Sequence, residues 1–447
     1  MEMKKLLPLF ISAALGSLSA TAWADSLSEI YDIAKQNDPQ LLNAAAKRDL
    51  AFEAINSTRS ALLPQITLSA GYSMTRGDID YKDSSNPSLS DSTDQNQLSA
   101  GVAFSQEVYN RSSWIALDTA EKSARQADAS YAAAQQGLIL RVSQAYFEVL
   151  RANDNLVFVR AEKAAVGRQL EQTKQRFDVG LSAITDVHDA QAQYDAVLAD
   201  EVLAQNDLIN SYESLREITG QEHKNLDVLN TKRFSASPSE ESAQTLIDEA
   251  KKKNLSLLSY RIAQDIARDN ISLSSSGHLP SLSLDGGYNY ADTTKSSRDN
   301  TTDGFNIGLN LAVPLYTGGR ISSDVKQAEY KYVSASEQLE QEYRSVTKEV
   351  RAQNNNINAS IGAIKAYEQS VVSAKSALEA TEAGFDVGTR TIVDVLEATR
   401  RLYDANKSLS NARYDYILAR LQLHQAVGSL SEQDILDVNA GLIAAKK

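Results

Sequence analysis

Four stretches of the chain are apolar at every second residue. Ile66, Leu68, Ala70, Tyr72 and Met74 alternate with Thr67, Ser69, Gly71 and Ser73. Leu98, Ala100, Val102 and Phe104 alternate with Ser99, Gly101, Ala103 and Ser105. Leu282, Leu284, Gly286, Tyr288 and Tyr290 alternate with Ser283, Asp285, Gly287 and Asn289. Phe305, Ile307, Leu309, Leu311 and Val313 alternate with Asn306, Gly308, Asn310 and Ala312. A period of two predicts strands over about 65–75, 97–109, 281–291 and 304–316, each with one apolar and one polar face. A sheet on a soluble core shows the same alternation. The small polar residues facing away from the apolar side suit a barrel lumen instead. Tyr72, Tyr109, Trp114, Tyr288, Tyr290 and Tyr316 fall near the strand ends, where interfacial aromatics sit against outer-membrane lipid. The strand-to-strand loops, roughly 75–96 and 291–304, are rich in Asp, Ser, Asn and Thr and suit extracellular loops. Four strands cannot close a barrel, and an open edge cannot lie in lipid, so several protomers must share one.

A second period takes over between the strands. Leu138, Val142, Ala145, Val149, Ala152, Leu156, Val159, Lys163, Val166, Leu170, Thr173 and Phe177 follow a four-three spacing. Ile321, Val325, Ala328, Tyr332, Ala335 and Leu339 do the same, and Val346, Val350, Gln353, Ile357, Val371, Ala374 and Leu378 carry it toward Phe385. Such a repeat predicts coiled-coil packing in long helices over 112–178 and 319–386, each about 100 Å long. A second apolar line at Ile139, Tyr146 and Phe147 suggests that each long helix has two neighbours. Return helices are expected over 185–219 and 391–428.

The two series belong to an internal duplication. Phe177-Asp178-Val179-Gly180 recurs as Phe385-Asp386-Val387-Gly388, and the same offset carries Ile184, Asp186 and Val187 onto Ile392, Asp394 and Val395. Leu63-Pro64 recurs as Leu279-Pro280, and Gly71-Tyr72 as Gly287-Tyr288. One structure built twice is expected, the first copy over 25–230 and the second over 243–430. A linker over 231–242 separates them, and 431–447 follows as a C-terminal segment and tail.

Residues 1–24 read as a secretory signal peptide: Lys4 and Lys5, an apolar run from Leu6 to Leu18, and Ala22-Trp23-Ala24 before the cut. The run is too short for a membrane-spanning helix, which needs about 20 apolar residues. Composition then removes function classes. A net charge of −13 argues against nucleic-acid binding. Absence of cysteine removes disulfides, thiolate metal sites and cysteine nucleophiles. The four histidines, His188, His223, His278 and His424, are far apart in sequence and suggest no metal site. No phosphate-cradling lysine loop and no nucleophile–base set can be proposed, so neither an enzyme nor a cofactor is expected.

Leader, duplication, strand pairs and Phe-Asp-Val-Gly turns together resemble the outer membrane efflux protein family over essentially the whole chain after the leader. The most specific segments are Arg176–Val187 and Phe385-Asp386-Val387-Gly388-Thr389-Arg390-Thr391-Ile392-Val393-Asp394-Val395-Leu396. The resemblance implies an α+β membrane protein. In it a homotrimeric, 12-stranded outer-membrane β-barrel, four strands per protomer, continues into a long α-helical coiled-coil periplasmic barrel. The resemblance makes 431–447 a C-terminal equatorial segment and tail. It implies a passive duct for multidrug efflux and type I secretion. Its partners would be a periplasmic adaptor and, through it, an inner-membrane efflux pump or ABC transporter. A periplasmic coiled-coil structural or adaptor protein without a pore is the competing class; it leaves the four strands unexplained.

Two sites follow at the periplasmic end. From the residues alone, Thr391-x-x-Asp394 is a capping box and Glu397 can pair with Arg401 on the next turn. The resemblance assigns Asp394 and Glu397 to an acidic ring that narrows the channel. It also assigns Arg390, Thr185 and Asp186 to a polar network that holds the end closed. Phe385 departs from that pattern, which carries a tyrosine there; looser closure or a compensating contact is expected. Val179, Gly180, Leu181, Val387, Gly388 and Thr389 form the turns on which the adaptor is expected to dock.

Overall fold

The computed structural model describes residues 25–80, 90–92, 94–239, 241–294 and 299–444. The expected signal peptide 1–24 lies outside the described residues, as do parts of both extracellular loops, residue 240 of the linker and 445–447 of the tail. In chain order the elements are α1 (Leu27–Asn37), α2 (Pro39–Ser60), β1 (Gln65–Thr75), β2 (Asp78–Asp80), β3 (Ser90–Ser92), β4 (Gln95–Tyr109), α3 (Arg111–Asp178) and α4 (Ile184–Thr219). There follow β5 (Val228–Leu229), α5 (Ala243–Lys253), α6 (Leu255–Ser275), β6 (Ser281–Thr294), β7 (Asn300–Ala312), α7 (Arg320–Asp386), α8 (Ile392–Val427), α9 (Glu432–Asn439) and β8 (Leu442–Ile443). The order helix, helix, strand, strand, very long helix, return helix occurs twice.

Local chemistry repeats with it. Asp38 caps α2 by accepting from the Leu41 N–H at 2.7 Å, and Asn254 caps α6 by accepting from the Leu257 N–H at 2.9 Å. Each cap also reaches a long element: Asp38 takes two hydrogen bonds from Arg141 of α3, and the Asn254 amide donates to the Ala426 carbonyl of α8. These joints hold the short helices against the bundle.

The strands form one antiparallel sheet in the order β1-β4-β6-β7, leaving β1 and β7 as open edges. Register aligns like with like: Leu68 faces Val102, which faces Tyr288, which faces Phe305. The resulting apolar face has no cover among the described residues; Leu68 is 77% and Ile307 73% exposed. On the opposite face Ser105 and Ser283 both donate to the Asp285 carboxylate, at 2.7 and 2.6 Å. A sheet with its apolar face outward and hydrogen-bonded polar groups behind is the inverse of a soluble core.

Three of the four strands differ at their ends from the sequence reading, β4 by beginning at Gln95 rather than at 97. The strand expected over 281–291 continues to Thr294, and that expected over 304–316 runs Asn300–Ala312. Asn300-Thr301-Thr302-Asp303 is polar on both faces, so alternation could not reveal it as strand. At the other end Pro314 has no N–H for the ladder, and Gly318 and Gly319 turn the chain into α7 at φ 64° and 83°. Tyr316 therefore lies beyond the strand, 89% exposed beside Leu315 at 93%. Tyr288 and Tyr290 are inside β6, at the end of its apolar run rather than at its end: the same face continues as Asp292, whose partner on β7 is Thr301.

α3 packs on α2 and α6 at the end next to the sheet and on α4 and α8 further on; α7 packs on α6 and then on α8. With 68 residues α3 is about 100 Å long. Leu138, Val142, Val149, Leu156, Val166, Leu170 and Thr173 of its four-three series are buried. Ile139, Tyr146 and Phe147 serve a different partner. They enter a core midway along the helices, where Phe147 lies 5.6 Å from the Tyr414 ring of α8 and Tyr146 donates to the Asp227 carbonyl. α1, α9 and the β5–β8 pair surround this core as an equatorial belt. No helix among the described residues is long and apolar enough to cross a membrane.

Candidate functional site

The ends of the long helices are two copies of one turn. α3 closes with Gly180 N–H donating to Phe177 and Leu181 N–H to Arg176, at 2.9 and 2.7 Å. α7 closes with Gly388 N–H donating to Phe385 and Thr389 N–H to Gly384, at 3.1 and 2.8 Å. This hydrogen-bond pattern requires a left-handed residue after the helix, and both glycines have φ 78°. A Cβ on either glycine would meet nothing within 4 Å, so the turn surface is open. Val179, Leu181 and Val387 project from it, 69%, 71% and 75% exposed.

Beyond each turn an acid caps the return helix. Asp394 accepts from the Thr391 N–H and hydroxyl, both at 2.9 Å, while the Asp394 N–H donates to Thr391 at 3.3 Å. The backbone hydrogen bond from Thr391, then its hydroxyl, holds the Asp394 carboxyl below the usual carboxylate range; nearby Arg390 acts in the same direction. Asp186 accepts from the Ser182 hydroxyl at 2.7 Å and the Ala183 N–H at 3.2 Å. Glu397 lies one turn beyond Asp394 and accepts from Arg401 at 2.7 Å. The capping box at Asp394 and the Glu397–Arg401 pair expected from the sequence are thus both present.

The residues expected to form a closing network, Arg390, Thr185 and Asp186, are not brought together within one chain. Thr185 and Arg390 are exposed, Asp186 is engaged by its own helix end, and Arg390 makes no ion pair among the described residues. Its stem crosses α7 at Gly384, where a Cβ would stand 2.7 Å from Arg390 Cγ. Gly384 therefore permits the close approach of the Arg390 stem. Phe385 does receive a contact. The Arg176 guanidinium lies 4.6 Å from its ring centroid.

Behind the turns the two helical hairpins share an apolar cluster of Val166, Leu170, Ala190, Val197, Ile392, Val395 and Leu396, with Phe385 against it. Within the buried interface the Gln169 amide of α3 donates to Thr399 of α8 at 3.1 Å. Further from the tip, half-buried Glu162 of α3 meets α4 and α8. Burial, then Asp404 and Asp200, push its carboxyl up to about 7, with Arg400 opposing. None of the Arg176, Gln169 or Glu162 contacts had a sequence signal, since each joins residues far apart in the chain.

Glu162 gives a stability prediction. The folded chain keeps this proton up to about pH 7, whereas the ordinary value is 4.5. Stability is therefore fullest below that window and falls as pH rises through it. Glu162→Gln is expected to raise the melting temperature at pH 8 and leave it unchanged at pH 4. The gain is about 1 kcal/mol after discounting for partial exposure. Equal shifts at both pH values would show that packing, not ionisation, is responsible.

Among the described residues no group of three or more His, Asp and Glu side chains is placed to hold a metal ion. The geometry offers instead an acidic helix-end array, two apolar turns and a membrane-suited sheet.

The model of the family described as outer membrane efflux protein matches residues 30–221 and 246–429, one segment in each half. Outer membrane protein TolC of Vibrio cholerae serotype O1 is 70% identical over 100% of this chain and 100% of its own. Alkaline protease secretion protein AprF of Pseudomonas aeruginosa is 27% identical, covering 100% of this chain and 93% of its own. Among solved structures, the Campylobacter jejuni CmeC outer membrane channel has a TM-score of 0.77 at 18% identity, covering 99% of this chain and 98% of that one. At that identity the likeness speaks for the fold.

Proposed function

The chain belongs to the outer membrane efflux protein family, and on that premise we infer that it is the exit duct for efflux and type I secretion across the outer membrane. It resides in the outer membrane and extends into the periplasm. The observation that carries this reading is the four-stranded sheet with an uncovered apolar face and two open edges. A tether without a pore gives that sheet no purpose.

We propose that three protomers close the barrel. β1 and β7 run in opposite directions, so β7 of one copy can pair with β1 of the next and keep the sheet antiparallel throughout. Three copies give 12 strands. The helices support the same closure. Their neighbour order is α2-α3-α6-α7 near the barrel and α4-α3-α8-α7 near the tip, with α7 at one flank in both. Apolar residues remain exposed on these flanks: Leu50 and Phe52 of α2, Val202 and Ile209 of α4, Tyr330, Val333 and Val372 of α7. A neighbouring copy covers them.

The gate and docking sites belong to this reading. In a trimer Asp394 and Glu397 form a ring of carboxylates, and Arg390 meets Thr185 and Asp186 of the adjoining chain. The turns at Gly180 and Gly388 receive the periplasmic adaptor, through which an inner-membrane pump or ABC transporter supplies cargo and energy. Tyr72, Tyr288 and Tyr290 mark the outer lipid boundary; Tyr109, Trp114 and Tyr316 mark the periplasmic one.

Leu309, 69% exposed on the edge strand, tests the membrane assignment. Arginine at a lipid-facing barrel midplane costs about 2–4 kcal/mol for each chain. Leu309→Arg is expected to deplete the outer-membrane fraction and the trimer resistant to detergent. Asn310→Arg, on the opposite face, is expected to insert normally. Equal insertion of both variants would remove the lipid-facing role of β7.

A further inference from the structure

One side chain ties the two hairpin tips of a protomer together. Arg176 sits in the last turn of α3, and its guanidinium covers the Phe385 ring of α7 at 4.6 Å. Its Nη1 stands 3.7 Å from the Asp386 carboxylate. Gln172, one turn earlier on the same face, brings its amide within 3.5 Å of that carboxylate. The Arg176 side chain is only 25% exposed, whereas Arg390 is an exposed residue. Phe385 is also an edge of the apolar cluster that packs α3 and α4 against α8. Arg176 thus joins the first hairpin to the second at the level of the turns, where cluster packing ends.

We propose that Arg176 is a positioning residue of the periplasmic gate, an intrachain latch that holds the tip of α7 against α3 through Phe385 and Asp386. The inference rests on the gate reading given above. Moving the α7–α8 hairpin away from α3 separates Arg176 from both partners, so the contact opposes that motion. A planar guanidinium suits the dual task, since it stacks on the ring while an edge nitrogen faces the carboxylate. The latch differs from the Arg390 contact in lying within one chain. It therefore sets the angle between hairpins, whereas Arg390 sets the fit between neighbouring chains.

Loss of an exposed cation–π contact shifts the closed-to-open ratio about two- to fivefold per chain, and on the order of ten- to a hundredfold if three chains open together. The experiment is planar-bilayer conductance of purified trimers carrying Arg176→Gln, Arg176→Lys, Phe385→Leu or the Arg176→Gln/Phe385→Leu pair, with Arg390→Ser as gate control. Arg176→Gln is expected to raise conductance and Arg176→Lys to raise it less, because lysine keeps the charge but loses the flat stack. The pair is expected to add little to either single change, since both remove the same contact. Trimer melting should stay at the wild-type value, because the tip lies far from the equatorial core. Wild-type conductance in Arg176→Gln beside raised conductance in Arg390→Ser would overturn the latch and leave the gate standing. Additive effects would show that Arg176 and Phe385 act separately, which also overturns it. Unchanged conductance in every variant, Arg390→Ser included, would remove the gate reading and the latch with it.

Discussion

Gly180→Leu combined with Gly388→Leu is expected to lower efflux to the level of cells lacking the protein, while trimers still assemble in the outer membrane. Both glycines have φ 78°, and a Cβ on either would meet no atom within 4 Å. The fold therefore has room for the side chain and bears only the cost of a left-handed non-glycine residue, roughly 1–2 kcal/mol per turn. That cost falls on a helix end far from the core at Tyr146, Phe147 and Tyr414. Docking has no such tolerance. The turns expose Val179, Leu181 and Val387, and a partner that packs on them must approach the glycine backbone. Asparagine tolerates the left-handed region, so Gly180→Asn with Gly388→Asn separates the two effects. Drug susceptibility in cells and trimer yield from the same membranes are the measurements. Partial efflux with asparagine and none with leucine supports docking at the turns. Full efflux with leucine would place the adaptor elsewhere.

Residues facing a single environment along their whole element were legible in the sequence. The alternation from Ile66 to Met74 marks β1 because each apolar residue meets the same exterior, and the register brings Leu68, Val102, Tyr288 and Phe305 into line. The four-three spacing marks α3 for the same reason. Legibility stops where an element passes from one environment to another. Asn300–Asp303 continues β7 beyond the apolar zone, so its outward residues turn polar and the alternation vanishes although the ladder persists. Ile139, Tyr146 and Phe147 add a second apolar line because they enter the core midway along α3, where Phe147 meets Tyr414 of α8 and Tyr146 donates to the Asp227 carbonyl.

The tip illustrates a different limit. Asp394 and Glu397 stood out by spacing, and the turns by repetition. Arg176 did not, because its partners Phe385 and Asp386 lie in the other half of the chain and no local pattern links them. The ring of Phe385 carries no hydroxyl, and the contact it makes within the chain is with the Arg176 guanidinium. A hydroxyl is not needed when a ring face can hold a guanidinium.

Removing the acidic ring is the second large effect, and the choice of substitution decides what it means. Asp394 both caps α8 and carries charge, so Asp394→Ala removes two functions at once: a cap worth about 1 kcal/mol and a carboxylate. Asparagine keeps an acceptor oxygen for the Thr391 N–H and loses only the charge. Glu397→Gln likewise gives up the pairing with Arg401, an exposed contact worth a few tenths of a kcal/mol. Asp394→Asn/Glu397→Gln is therefore expected to leave melting unchanged and to abolish the cation preference in planar bilayers. Three copies remove six carboxylates from one axis, and a ring of that kind sets both entry and selectivity for small ions. Asp394→Ala/Glu397→Ala should lose selectivity equally, raise conductance severalfold through the shorter side chains, and melt slightly lower. Selectivity that survives the asparagine–glutamine pair would return Asp394 to capping alone and place the constriction on other residues. Conductance that rises only with alanine would assign the narrowing to side-chain volume rather than to charge.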